Sequence, residues 1–150
     1  MRERFTNDLK LAMKAGEKRR VATIRMIMAA LKDRDIEARG AGKTVGPDEI
    51  LAMLQKMVKS RQESLEIYEK AGRADLAAQE ADEIAIIRGF LPEPLDDAGA
   101  EAAIDRAIAE TGAASIRDMG KVVAALKAAY AGRMDFARAS ARVKAKLGAG

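Results

Sequence analysis

Apolar residues recur along this chain at the three- and four-residue spacing of an α-helix, and no segment alternates with the two-residue period of a β-strand. Phe5, Leu9 and Met13 begin this pattern, and Ile24, Met28 and Leu31 continue it on a second helix. The pattern predicts an all-α protein. Later apolar stripes lie within residues 50–68, 76–91, 104–108, 116–130 and 136–147.

Residues that favour helix ends separate these stripes. Pro47, followed by two acidic residues, predicts a helix start. The backbone N–H that proline lacks would have no partner in the first turn, and acidic side chains favour the positive end of the helix dipole. Gly72 predicts a left-handed C-terminal cap. Ser115 and Asp118 have the spacing of a capping box. The other two predicted N-caps are Asp96 and Asp135.

The segment 91–95 contains two of the three prolines and is the best candidate for a domain boundary. Proline disfavours helix both at its own position and at the residue before it. We therefore expect an N-terminal bundle of about four helices, residues 1–92, followed by a three-helix C-terminal subdomain, residues 93–150.

The composition excludes several kinds of chemistry, because the chain contains no cysteine and no histidine. Disulfides, thiolate nucleophiles, serine–histidine triads and the usual zinc sites are therefore impossible. No constellation of nucleophile, base and oxyanion donors is visible, so we predict no catalytic residue, metal or cofactor. The polar N-terminus and the absence of a long apolar run predict a cytoplasmic protein without a membrane segment.

Charge is distributed unevenly along the chain, although the net charge is only +4. Residues 1–72 hold 16 Lys/Arg and 11 Asp/Glu, residues 73–112 hold 3 and 10, and residues 113–150 hold 8 and 2. The three segments are therefore +5, −7 and +6. Basic ends of this kind can steer an anionic partner, although charge alone favours the simpler explanation that these are solvated charges on helices.

The C-terminal helix contains the strongest candidate for nucleic-acid binding. Arg138, Arg142 and Lys146 follow an i, i+4, i+8 spacing and share one face. With Arg133 and Lys121 they would form a basic surface that neutralises phosphates. The alternative is that these cations serve the helix dipole and solubility. Because aromatic residues make up only 3% of the chain, recognition of RNA shape and backbone fits better than readout of bases.

Three further features have both a structural and a functional interpretation. Gly120 lies inside a helical stripe and predicts either close helix packing or the approach of a ligand backbone. Arg61 lies on an inward stripe and predicts an ion pair with Glu83 or Glu80. The eight methionines are expected mainly in the core, with an exposed methionine-rich groove for a partner helix as the alternative.

Several blocks, in order along nearly the whole chain, resemble the YqeY-like family. In the first half they are VATIRMIMAALK (residues 21–32), KSRQES (59–64) and YEKAGRADLA (68–77). In the second half they are FLPEPL (90–95), ETGA (110–113), DMGKVV (118–123) and GR (132–133). The chain departs from the family at Phe136, where a glycine is usual, and this puts a close backbone contact there in doubt.

This family shares its helical unit with the tail of the B subunit of the tRNA-dependent Asp/Glu amidotransferase, a carbon–nitrogen ligase that uses glutamine as amido donor. Other modules of that enzyme carry the chemistry, and the tail is associated with holding the tRNA. The resemblance therefore implies a freestanding tRNA-binding or tRNA-associated protein that is not catalytic alone. The alternative is a helical module that docks on an amidotransferase or another translation protein.

Overall fold

The computed structural model describes the backbone of residues 1–149 and the side chains of residues 1–148. This part of the chain contains α-helices, one short 3-10 turn at Ile116–Asp118 and no strand, which confirms the all-α prediction. Contacts divide the chain into one unit, Met1–Pro92, and a second that begins at Glu93. The helices are α1 (Arg2–Ala15), α2 (Lys18–Gly40), α3 (Pro47–Lys70), α4 (Ala74–Arg88), α5 (Asp97–Thr111), α6 (Met119–Tyr130) and α7 (Phe136–Ala149).

The first unit, α1 to α4, closes around an aliphatic core with two phenylalanines. Phe5 of α1 meets Phe90, which follows α4, edge to face with ring centroids 5.0 Å apart. Ile24, Leu54 and Ile87 bring α2, α3 and α4 into the same core and are fully buried. Burying each such side chain contributes roughly 1.5–3 kcal/mol, so the apolar stripes of the sequence hold this unit together.

A buried ion pair joins α3 to α4, as the sequence predicts. Arg61 Nε donates to Glu83 Oε2 at 3.0 Å, and Arg61 Nη1 donates to the carbonyl of Met57 at 3.2 Å. Glu80 lies beside the pair, and its Oε2 is buried without a hydrogen-bond partner in the described structure. Burial, reinforced by the charge of Glu83, raises the pKa of Glu80.

The second unit packs α5, α6 and α7 around an aliphatic core. Ile104, Val122, Leu126 and Val143 are fully buried at its centre. Phe136, the residue that departs from the family pattern, packs against this core at the start of α7. Its ring therefore adds apolar contact at a position where glycine would add none.

The predicted caps lie where the helices begin and end. Asp96 Oδ1 accepts from the backbone N–H of Gly99 at 2.6 Å, and Asp135 Oδ1 accepts from that of Ala137 at 3.0 Å. Gly72 ends α3 with a φ of 71°, the left-handed conformation that glycine adopts most easily. Asp118 Oδ2 accepts from the N–H groups of Ala114 and Ser115, which lowers the pKa of Asp118.

Candidate nucleic-acid interface

Two members of the predicted basic row on α7 form ion pairs within their own unit. Arg142 Nη1 lies 3.5 Å from Glu101 Oε2 of α5. Lys146 contacts both Glu101 and Asp105, one helical turn further along α5. Hydrogen bonds to Asp105 and Glu101 raise the pKa of Lys146. Arg142 and Lys146 therefore share one face, as predicted, but acidic groups already neutralise that face.

This pairing changes the meaning of the uneven charge distribution. The strongly basic segment 113–150 folds against an acidic helix, α5, from the preceding segment. Residues 93–150 together hold nine Lys/Arg and eight Asp/Glu, a net charge of only +1. The unit as a whole therefore attracts anions weakly, and any phosphate contact depends on individual exposed cations.

Arg133 lies in the link between α6 and α7, and its hydrogen bonds connect this link to the start of the second unit. Its Nε donates to the carbonyl of Glu93 at 2.9 Å, and its own carbonyl accepts from the N–H of Leu95 at 2.9 Å. Its guanidinium also lies 6.0 Å from the ring centroid of Tyr130. These contacts give Arg133 a structural role, and its contact with nucleic acid stays a prediction.

Lys121 and Arg138 are exposed and make no salt bridge with any described residue. They lie at opposite ends of the α6–α7 pair. Gly148 near the end of α7 lies against Ile116, just before α6, so the two helices run antiparallel. Because Lys121 and Arg138 each lie near the start of their helix, the structure does not bring them together.

The solvent face of α6 forms a different surface, built from residues with almost no side chain. Gly120, Ala124 and Ala128 follow an i, i+4, i+8 spacing, and all three are exposed. Lys121 and Lys127 lie on the same exposed side of the helix. We call these five residues the α6 face. Two cations thus flank a strip of helix whose backbone is only thinly covered by side chains.

Gly120 does not serve close helix packing, so that structural expectation is wrong. A Cβ added at Gly120 would meet no atom within 4 Å, and its φ is not positive. Neither packing nor backbone conformation therefore requires glycine at this second residue of α6. The alternative interpretation of the sequence, approach of a ligand to this backbone, is the one that the geometry leaves open.

Lys127 is a member of the α6 face that the sequence pattern did not predict. It lies seven residues after Gly120, two helical turns along the same side of α6. The same spacing rule that grouped the cations of α7 would have grouped Gly120, Ala124 and Lys127. Lys127 does not stand out in the sequence because it is separated from the other cations.

Neither a metal cluster nor a membrane helix lies in the part of the chain that the structure describes. No group of three or more acidic residues there could hold a metal ion. None of the described helices combines the length and apolar character needed to cross a membrane. The predicted cytoplasmic location stays a prediction.

Comparison with known proteins gives relatives over part of the chain. A protein of Lachancea thermotolerans named "Altered inheritance of mitochondria protein 41, mitochondrial" is 34% identical over 56% of this chain and 44% of its own length. The protein of that name in Eremothecium gossypii is 33% identical, over 56% and 45%. An uncharacterized Schizosaccharomyces pombe protein is 32% identical over 55% and 64%. The chain thus spans about half the length of these curated relatives.

The match to a family model is far more extensive. The family described as "Yqey-like protein" matches residues 2–147, which include all the blocks that carry the resemblance and the whole α6 face. Since this match covers both units from end to end, the chain belongs to the YqeY-like family.

Proposed function

We propose that the C-terminal unit binds folded RNA, and tRNA in particular, by placing the sugar–phosphate backbone along the α6 face. The observation that carries this proposal is Gly120, an exposed glycine in the first turn of α6 without a neighbour. It lies next to Lys121, which is exposed and makes no salt bridge with a described residue, although the charge of Asp118 acts on it. A helix surface without side-chain bulk lets a second backbone approach closely. Lys121 and Lys127 would then neutralise phosphates and release counterions.

The remaining cations contribute unequally under this proposal. Arg138 is exposed at the start of α7 and is free to reach an outlying phosphate. Arg142 and Lys146 must break their ion pairs with the carboxylates of α5 before they can bind phosphate. Their net contribution to RNA affinity is therefore smaller. Arg133 contributes by holding the fold rather than by contact. The predicted five-residue surface therefore reduces to Lys121 and Arg138, with Lys127 added.

Family membership supports tRNA as the RNA class, through the amidotransferase tail that the sequence resembles. The small number of aromatic side chains favours recognition of shape and backbone over readout of bases. A tail of this kind holds RNA while other modules carry out the chemistry, so the absence of histidine and cysteine is consistent with the proposal. The protein would act without catalysis of its own.

Binding of an unmodified tRNA transcript, measured by fluorescence anisotropy at 50 and 200 mM salt, tests this proposal. Each phosphate contact contributes about 0.9 to the slope of log affinity against log salt. Lys121→Ala/Lys127→Ala should therefore lower that slope by about 1.8, so the wild type loses about tenfold more affinity than the variant between the two salt concentrations.

A matched double variant keeps the result specific. Arg106→Ala/Lys144→Ala removes two other exposed cations of the same unit that make no salt bridge with the described residues. It should leave the salt slope close to that of the wild type. Absence of tRNA binding at 50 mM salt, or equal slopes in both double variants, would refute the proposal. A protein complex insensitive to these substitutions would favour the alternative docking module.

The Gly120→Ala variant distinguishes an effect on tRNA binding from an effect on folding stability. Alanine is the better helix residue and meets no atom at this position in the first turn of α6, so the variant should be at least as stable as the wild type. If RNA backbone approaches Gly120, the added methyl group should weaken tRNA binding several-fold in the same protein, and Gly120→Leu should weaken it further. Urea unfolding and anisotropy on the same samples provide both measurements, and unchanged affinity in Gly120→Leu would contradict close approach at this residue.

A further inference from the structure

The exposed face of α2 includes a narrow apolar strip. Ile36 is 58% exposed, and the apolar strip continues through Ala29 and Ala22, which are also exposed. Met26 lies further round the helix, where Arg61 Nη2 of α3 lies 3.7 Å from its Sδ. The buried face of the same helix carries Ile24, Ile27 and Leu31. The core therefore accounts for one apolar side of α2 but not for the exposed strip.

Four cations border this apolar strip at a strict seven-residue interval. Lys18, Arg25, Lys32 and Arg39 are all exposed, and in the described structure none of them forms a salt bridge. A seven-residue interval keeps successive side chains on nearly the same side of a helix. They form one continuous basic edge along the whole length of α2, and we call them the α2 cation row.

A shallow groove of about 350 Å³ lies where α1 meets the start of this face. Met13, which is 54% exposed, forms one wall, and Val21 and Ala22 form the other. Lys18 and Arg25, the first two members of the α2 cation row, also line it. The groove and the exposed face of α2 thus share Ala22 and two cations, which makes them one surface.

We propose that this surface binds an amphipathic helix of a partner protein, with an apolar stripe against α2 and Asp or Glu along one edge. The seven-residue interval is the repeat with which two helices pack side by side. The 23 residues of α2 span about 34 Å, enough to seat more than three heptads. The α2 cation row supplies charges complementary to an acidic edge, and this complementarity selects the partner.

The distribution of charge across the face defines the partner further. Asp33 and Glu37 are exposed on the other side of the apolar strip from the cation row. A partner helix with acids on both edges would meet repulsion there, so acids belong on one edge only. The apolar strip with its exposed Ile36 gains from burial against another protein but not from contact with phosphate. These features favour a protein helix over RNA.

Two synthetic peptides probe this surface on the full chain. Both are three heptads long with leucine at the packing positions and neutral polar residues on one edge. The first has glutamate on the other edge, and its twin has lysine there. Anisotropy should show the glutamate peptide binding at least tenfold more tightly than its twin. Arg25→Glu/Lys32→Glu should abolish most of this preference, because it changes the net charge of the row from +4 to 0.

Two further variants serve as control and cross-check. Lys56→Glu/Lys59→Glu makes the same charge change at exposed residues of α3 and should leave the preference unchanged. Ile36→Ser removes apolar area without changing charge and should weaken both peptides by a similar factor. All these residues are exposed, so helicity measured by circular dichroism should match the wild type.

Other results would overturn the proposal. These are no binding of either peptide, preference for the lysine peptide, or a preference that Arg25→Glu/Lys32→Glu leaves intact. Loss of tRNA binding in that variant, but not in Lys56→Glu/Lys59→Glu, would assign the surface to RNA. A dimer seen by analytical ultracentrifugation and lost in the same variant would assign it to a second copy of this chain. The proposal is independent of the α6 face, which the salt experiment tests separately.

Discussion

Replacing Arg61 with methionine removes the cation of the buried pair between α3 and α4 while keeping a side chain of similar length. Glu83 would then keep only its weak contact from Gln79 Nε2, 3.4 Å from Oε1. Glu80 would lose the one nearby positive charge that lowers its pKa. Two acidic groups would face each other in a site that excludes most water.

The structure sets the expected size of this effect. The side chains of Arg61 and Glu83 are only 15% and 11% exposed. Removing one partner of a buried pair typically costs about 3–5 kcal/mol, and the residual exposure here favours the lower end, about 3 kcal/mol. That is a large part of the roughly 5–15 kcal/mol by which domains are stable. The Tm of Arg61→Met should therefore be about 12–24 °C below that of the wild type.

Tyrosine fluorescence can follow the first unit alone during urea unfolding. The chain has no tryptophan and two tyrosines, Tyr68 in the first unit and Tyr130 in the second. In a Tyr130→Phe background, Tyr68 is the remaining reporter. The comparison is between Arg61→Met and Arg61→Met/Glu83→Gln, in which the unpaired charge is also removed. The double variant should recover more than half of the lost stability at pH 7.

The pH dependence supplies the decisive check. Near pH 4, where carboxyl groups take up protons, the unpaired charge left by Arg61→Met disappears, so the stability gap from the wild type should narrow. A gap below about 1 kcal/mol at pH 7, or one equally large near pH 4, would refute the view that charge pairing stabilises this site.

Two further substitutions test other parts of the fold. Glu80→Gln should stabilise the first unit at pH 7: burial raises the pKa of Glu80, so the wild type loses stability as pH rises past the ordinary glutamate range. Urea unfolding at pH 4 and 7 should show the benefit only at the higher pH. Asp96→Ala removes the acceptor for the Gly99 N–H and should cost about 1 kcal/mol in thermal unfolding, with Asp97→Ala as the near-neutral control.

Local features of the fold were predictable because their causes lie within a few residues. A helix that starts at Pro47 and one that stops at Gly72 each follow from the conformational preference of a single residue. The Asp96 cap depends on an amide three residues away. The Arg61–Glu83 pair was also predictable, because a cation on an inward stripe needs a partner and the next helix supplies acids.

The candidate site was predictable only in part, because the availability of its residues depends on which other residues fold against them. The spacing of Arg142 and Lys146 correctly places them on one face, but spacing on one helix says nothing about α5. Gly120 shows the same limit in the opposite direction. Whether a glycine serves close packing depends on its neighbours in space, and a Cβ added at Gly120 would meet no atom within 4 Å.

By itself, the sequence determined the helical period, the helix ends and the exclusion of histidine and cysteine chemistry, since these depend on local spacing and composition. Only the tertiary structure decided where charge remains available. It set Glu101 and Asp105 against cations 41 residues away and left the lysines of the α6 face and the α2 cation row in solvent. The reason is physical: a charge attracts a partner according to what surrounds it in space, and neutralisation across 41 residues leaves no mark on local spacing.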